Sequence, residues 1–141
     1  MKQKTVLFLC TGNSARSQMA EGLMRHLRGD EFEVYSAGVD SKGVHPNAVQ
    51  VMQEIGIDIS GQKSKHIDKL PDREFDCIIT LCDHAAQNCP VFLGKGVRLH
   101  HSFSDPAAAV GSDHEVLEAF RKVRDELQQF ILSFESDKGT L

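Results

Sequence analysis

Short apolar runs of strand character alternate with helical patterns along the whole chain. The runs are TVLFLC (5–10), FEVYSAG (32–38), FDCIITLC (75–82) and GVRLHHSF (96–103); between and after them come MAEGLMRHL (19–27), NAVQVMQEIGI (47–57) and a long segment from His114 to Phe134. This alternation predicts an α/β fold, a parallel sheet with helices on both faces. In the last segment Val116, Phe120, Val123, Leu127, Phe130 and Phe134 fall on one stripe, and Ser112 with Glu115 makes a capping box ahead of it. Pro46 suits the first turn of the second helix and Gly56 its end, while the first helix is expected to begin near Ser17. The 141 residues fit one domain, 1–141, large enough for a proper core, with a polar tail after Phe134 expected to fray.

Composition removes several classes of function. A net charge of −4 and a pI near 5.9 speak against a broad basic face for nucleic acid or anionic lipid. The apolar run near Met1 is too short to span a bilayer and no small-residue cleavage pattern follows it, so a cytoplasmic protein with reduced thiols is expected. Cys10, Cys77, Cys82 and Cys89 are unevenly spaced and contain no CxxC pair, which argues against a disulfide framework. His100 and His101 are neighbours, and on a strand they point to opposite faces, so no metal site is expected. No cofactor is called for either.

In a parallel sheet the residues that follow each strand gather at one edge, where such folds bind ligands. Cys10 closes the first run, Cys82 follows CIITL, and Asp105 comes soon after VRLHHSF. Between Cys10 and Arg16 lies CTGNSAR, leading into a helix. A loop that tight can turn the N–H groups of Thr11, Gly12, Asn13, Ser14, Ala15, Arg16 and Ser17 inward around a tetrahedral oxyanion, with the helix N-terminus adding positive charge. Gly12 and Asn13 tolerate the backbone angles such a turn demands, and Arg16 offers a planar fork for two oxygens. Such surroundings turn a thiol into a nucleophile. The bare spacing is also compatible with a buried strand-end cysteine and an ordinary first-turn arginine. Cys77, within the third run, reads as a small buried hydrophobe.

LCTGNSARSQMAEG resembles the arsenate reductases that share the fold of low-molecular-weight protein tyrosine phosphatases. VYSAG, GIDIS, TLC at Thr80 to Cys82, NCP at Asn88 to Pro90, DPA at Asp105 to Ala107 and KVRDE at Lys122 to Glu126 extend the likeness to about Phe134. The resemblance implies a four-stranded parallel sheet in the order 2-1-3-4. It also implies reduction of arsenate to arsenite by a relay of Cys10, Cys82 and Cys89, with Arg16 in the cradle and Asp105 as general acid. The three-cysteine pattern implies thioredoxin as reductant, and a monomer is expected. By spacing alone, Cys82 and Cys89 are equally compatible with two incidental thiols. On a continuous helix they would stand roughly 10 Å apart, too far for a disulfide. The polar, proline-ended stretch DHAAQNCP suits a segment that must bend to join them.

The alternative activity is that of a phosphatase passing a phosphoryl group through Cys10. Relatives acting on phosphotyrosine tend to have RSP after the loop and an aromatic after Asp-Pro, whereas this chain has Gln18 and Ala107. Many relatives carry a cysteine at the place of Ala15. Some bind potassium through residues matching Asn13, Ser36 and oxygen-bearing side chains at 63 and 65; here those two are Lys63 and Lys65, so no potassium site is expected, and the pair reads either as a charge standing in for the ion or as two solvated loop lysines.

Overall fold

The computed structural model describes residues 4–70, 75–83 and 96–134. Strands β1 (Lys4–Cys10), β2 (Phe32–Gly38), β3 (Cys77–Thr80) and β4 (Val97–His100) form a parallel sheet in the order β2-β1-β3-β4. Consecutive side chains on β1 face opposite sides, yet Val6, Leu7, Phe8 and Leu9 are all fully buried, so both faces of the central strand are covered. β4, at the edge, alternates between half-buried and exposed residues.

Helices α1 (Arg16–Arg28), α2 (Pro46–Gln53) and α3 (Asp113–Ser133) complete the described elements, with α1 packed on β2 and α3. The predicted stripe of α3 is buried at Phe120, Val123, Leu127 and Phe130 and ends at the buried Phe134. Both halves of its capping box form: Glu115 N donates to Ser112 Oγ and Ser112 N to Glu115 Oε1, each at 3.2 Å. At its far end, Arg28 donates to the carbonyls of Ile131 (3.0 Å) and Phe134 (2.6 Å), satisfying acceptors that the helix leaves over.

Some boundaries differ from expectation. α1 begins at Arg16, and Ala15 at its N-cap offers no side-chain acceptor, so the first N–H groups are left for something else. α2 stops at Gln53, before Gly56. The chain leaves it through a turn in which Ile57 N donates to Met52 O at 3.0 Å and Gly56 takes φ 82°, the left-handed wrap that glycine permits. β4 is shorter than its apolar run. Pairing continues beyond it only at His101 N to Thr80 O (3.0 Å) and Phe103 N to Leu81 O (2.9 Å).

The registers Cys10↔Gly38 and Leu9↔Thr80 bring β1, β2 and β3 to an end at one level. Cys10, Gly38 and Cys82 therefore emerge at one edge of the sheet.

Candidate active site

The carbonyls of residues 10–15 are all engaged from outside the loop. Val39, Asp40, Lys42 and His45 donate backbone N–H groups to the oxygens of Cys10 (3.4 Å), Thr11 (2.9 Å), Gly12 (2.9 Å) and Ser14 (3.0 Å). Gln18 Nε2 donates to Asn13 O at 3.1 Å, and Met19 N to Ala15 O at 2.9 Å. In a planar trans peptide the C=O of one residue and the N–H of the next point in opposite directions, and no cis bond occurs among the described residues. Carbonyls held by these donors therefore leave the N–H groups of Thr11 to Arg16 facing the opposite way, away from the segments that hold the loop. Two backbone details permit the curl. Asn13 takes φ 46°, and a Cβ on Gly38 would come within 2.7 Å of both Asn13 N and Thr11 O.

Cys10 is buried at the end of β1, its Sγ 2.8 Å from Ser17 Oγ. Ser17 Oγ also accepts from Asn13 Nδ2 at 2.7 Å, and when the sulfur is a thiolate the serine hydroxyl is the donor between them. Asn13 Nδ2 also donates to Ser36 Oγ (3.0 Å), and its Oδ1 accepts from Lys65 N (2.8 Å) and Gln18 Nε2 (3.0 Å). Ser36 in turn donates to the buried carboxylate of Glu21, which Arg25 also meets at 2.8 Å. The Lys65 ammonium lies 3.0 Å from Lys63 O and 4.0 Å from Glu21 Oε1; burial holds its pKa below the ordinary lysine value, partly offset by Glu21. Lys63 contributes its carbonyl to this cluster, accepting also from Gln18 Nε2 at 3.1 Å.

Arg16 is 8% exposed and anchored by NH1 to Phe103 O at 3.1 Å. Its Nε is buried without a hydrogen-bond partner among the described residues, which marks a donor waiting for an acceptor. NH2 stands 3.8 Å from Asp105 Oδ2, while Asp105 Oδ1 accepts from Ala107 N at 3.0 Å and so opens the short 3-10 turn Pro106–Ala108. Cys10, Gly12, Arg16, Lys42, His45 and Asp105 are among the residues lining a cavity of about 420 Å³.

Cys82 is buried, with its Sγ 3.2 Å from Thr11 Oγ1, so the second thiol sits against the residue that follows the first. Cys89, and with it the expected bending segment up to Pro90, lies outside the described residues, as does the tail after Phe134. Cys77 is fully buried on β3, where burial and the neighbouring Asp76 push its thiol up to about 12. The structure thus brings together Cys10, Arg16, Cys82 and Asp105 and keeps Cys77 apart. Sequence reasoning missed Gln18, Glu21, Lys42 and His45. The nearest signal was the presence of two basic side chains just after the strand that ends at Gly38.

No helix among the described residues is long and apolar enough to cross a membrane, and no cluster of potential metal ligands occurs among them. Residues 5–140 match the low molecular weight phosphotyrosine protein phosphatase family. The chain is 52% identical over 134 residues to an arsenate reductase of Halalkalibacterium halodurans, covering 95% of this chain and 96% of that protein. It is 47% identical to an arsenate reductase of Bacillus subtilis over the same shares. A solved arsenate reductase in the phosphate-binding state superposes with a TM-score of 0.78 at 37% identity, covering 92% of this chain and 95% of that one. That likeness includes the 2-1-3-4 parallel sheet. The chain belongs to the low molecular weight phosphotyrosine protein phosphatase family, where its similar relatives are arsenate reductases.

Proposed function

We propose that the protein is a monomeric cytoplasmic enzyme that reduces arsenate to arsenite through Cys10, Cys82 and Cys89, with thioredoxin closing the cycle. Arsenate sits in the amide cradle with two oxygens on the Arg16 fork. The Cys10 sulfur attacks arsenic, and Asp105 gives its proton to the departing oxygen, which leaves as water. Cys82 then attacks the Cys10 sulfur. The S–As bond breaks with its electron pair going to arsenic, arsenite departs, and a Cys10–Cys82 disulfide remains. Cys89 attacks Cys82 and frees the Cys10 thiolate, and the dithiol of thioredoxin reduces the resulting Cys82–Cys89 disulfide.

The observation that carries this reading is the outward turn of the carbonyls of residues 10–15 over a buried Cys10, with Cys82 held against Thr11. The oxyanion cradle serves either chemistry; the second thiol at its rim is what a reductase needs and a hydrolase does not. The Lys65 ammonium, beside Glu21 and the Lys63 carbonyl, takes the part that a bound potassium ion plays in some relatives. The deciding experiment follows NADPH consumption with arsenate, thioredoxin and thioredoxin reductase, beside a glutaredoxin and glutathione system. Consumption with thioredoxin alone is expected. Turnover only with glutaredoxin overturns the assigned reductant, and turnover with neither overturns the activity.

The same cradle fits phosphate, and the similar structure in a phosphate-binding state supports a residual phosphatase activity through a Cys10 phosphocysteine. That activity should survive Cys82→Ser, which abolishes arsenate reduction. Gln18 and Ala107, with no phenyl, phenol or indole ring among the described residues that line the cavity, weigh against an aryl phosphate as the main substrate.

A further inference from the structure

The cavity over Cys10 has a second wall that the thiol relay does not use. It comes from the segment after β2, which is stitched to the loop at four points: Val39 N to Cys10 O, Asp40 N to Thr11 O, Lys42 N to Gly12 O and His45 N to Ser14 O. These bonds fix residues 42 and 45 in height and register relative to the amide ring. Both line the cavity together with Cys10, Arg16 and Asp105.

Each side chain is prepared for an anion in a different way. His45 Nδ1 accepts from Asn47 N at 3.1 Å, capping α2, so the single proton of the neutral ring must sit on Nε2. The ring rests on Phe120 with centroids 4.8 Å apart, which holds that N–H in one orientation. The stem of Lys42 lies over Gly12, its Cγ and Cβ 3.7 and 3.8 Å from where a Cβ on that glycine would stand. Its ion pair with Asp40 is long, at 3.7 Å, and exposed on both sides, so it holds the ammonium only weakly.

In a displacement at a tetrahedral centre the leaving oxygen points away from the attacking atom. With Cys10 buried at the end of β1, that oxygen points away from the sulfur, and the more exposed Lys42, His45 and Asp105 of the same cavity lining are the groups available to meet it. On arsenate it carries only a proton. On a phosphomonoester it carries carbon, which leaves a weaker and sterically shielded acceptor while stripping water from the ammonium and the imidazole N–H. We propose that Lys42 and His45 are specificity-determining residues that bind the outward oxygen and select an inorganic oxyanion over a phosphomonoester. The inference rests on the cavity being an oxyanion site and does not require the relay.

The test uses Lys42→Ala, and His45→Asn, which keeps a capping acceptor while removing the ring nitrogen. Arsenate reduction and p-nitrophenyl phosphate hydrolysis are measured for both at low and high salt. Lys42→Ala should raise KM for arsenate about fivefold at low salt with kcat little changed, less so at high salt, and Lys42→Arg should restore it. His45→Asn should lower kcat/KM for arsenate several-fold relative to that for the ester. Unchanged KM and an unchanged arsenate-to-ester ratio in both variants overturn the proposal. A measurement without turnover separates it from the reductase reading: protection of Cys10 from iodoacetamide by inorganic phosphate. Weaker protection in Lys42→Ala supports the inference even if arsenate is never reduced, and equal protection contradicts it.

Discussion

Thr11 Oγ1 lies 3.2 Å from Cys82 Sγ, so the residue beside the first thiol also holds the second. The bond spans the gap between β1 and the end of β3 and keeps a buried sulfur at the rim of the cradle. Thr11→Val preserves shape and removes it. Arsenite release in a single turnover should slow about fivefold, the worth of one ordinary hydrogen bond. Phosphate protection of Cys10 should be unchanged, because the backbone amide remains.

The order of the thiols is open to a stoichiometric test. Cys89→Ser should release about one arsenite per protein and then stall with Cys10 and Cys82 joined, as read by peptide mass mapping. Sustained turnover with thioredoxin contradicts the sequence of exchanges.

Asp105 stands 3.8 Å from Arg16 NH2 with one oxygen engaged by Ala107 N, which leaves the other toward the cavity. Asp105→Asn should lower kcat about 100-fold, the lower range for loss of a general acid. Phosphate protection should persist, since the loop amides and the Arg16 fork are untouched.

Lys65 offers its own cation to Glu21. Turnover should therefore be equal in potassium and sodium chloride at the same ionic strength, and a steep rise with potassium alone contradicts this assignment. Lys65→Met should change stability by less than about 1 kcal/mol, since the pair with Glu21 is long and the desolvation that lowers the lysine's pKa offsets its attraction.

Cys77 bears on stability at high pH. Its thiol is pushed up to about 12 from an ordinary 9.0, so above pH 9 the folded state keeps a proton that the unfolded state releases. Stability should fall with rising pH across that window by about 1.4 kcal/mol per unit. Cys77→Ala should remove this part of the slope in urea titrations, and native Cys77 should resist alkylation at pH 8.

Much of the fold and of the site is legible in the sequence, for physical reasons. The strand ending at Cys10, the stripe of α3 and its capping box rest on local periodicity and on neighbours three or four residues apart, which a sequence displays directly. The loop is legible in part: Asn13 takes the left-handed backbone expected of it, Gly12 does not, and the spacing of Cys10 and Arg16 gains its meaning from the resemblance. The buried network is not legible. Glu21 meets Ser36, and Gln18 meets Asn13 and Lys63, across contacts that only the sheet order creates. The end of α2, by contrast, is legible: regular helix stops at Gln53, and Gly56, left-handed, closes it with Gly56 N on Gln53 O and Ile57 N on Met52 O. The cavity-lining roles of Lys42 and His45 follow from backbone pairing with the loop, which leaves no trace in their spacing.

The most direct test of the account is a phosphate titration of the reduced, nitrogen-15-labelled protein followed by amide chemical shifts. If the N–H groups of Thr11 to Arg16 form the cradle, their proton signals should move downfield together and saturate at one phosphate per chain. If those signals stay in place while the anion binds elsewhere or not at all, the carbonyls are turned outward for some other reason, and the reductase described here loses its binding site.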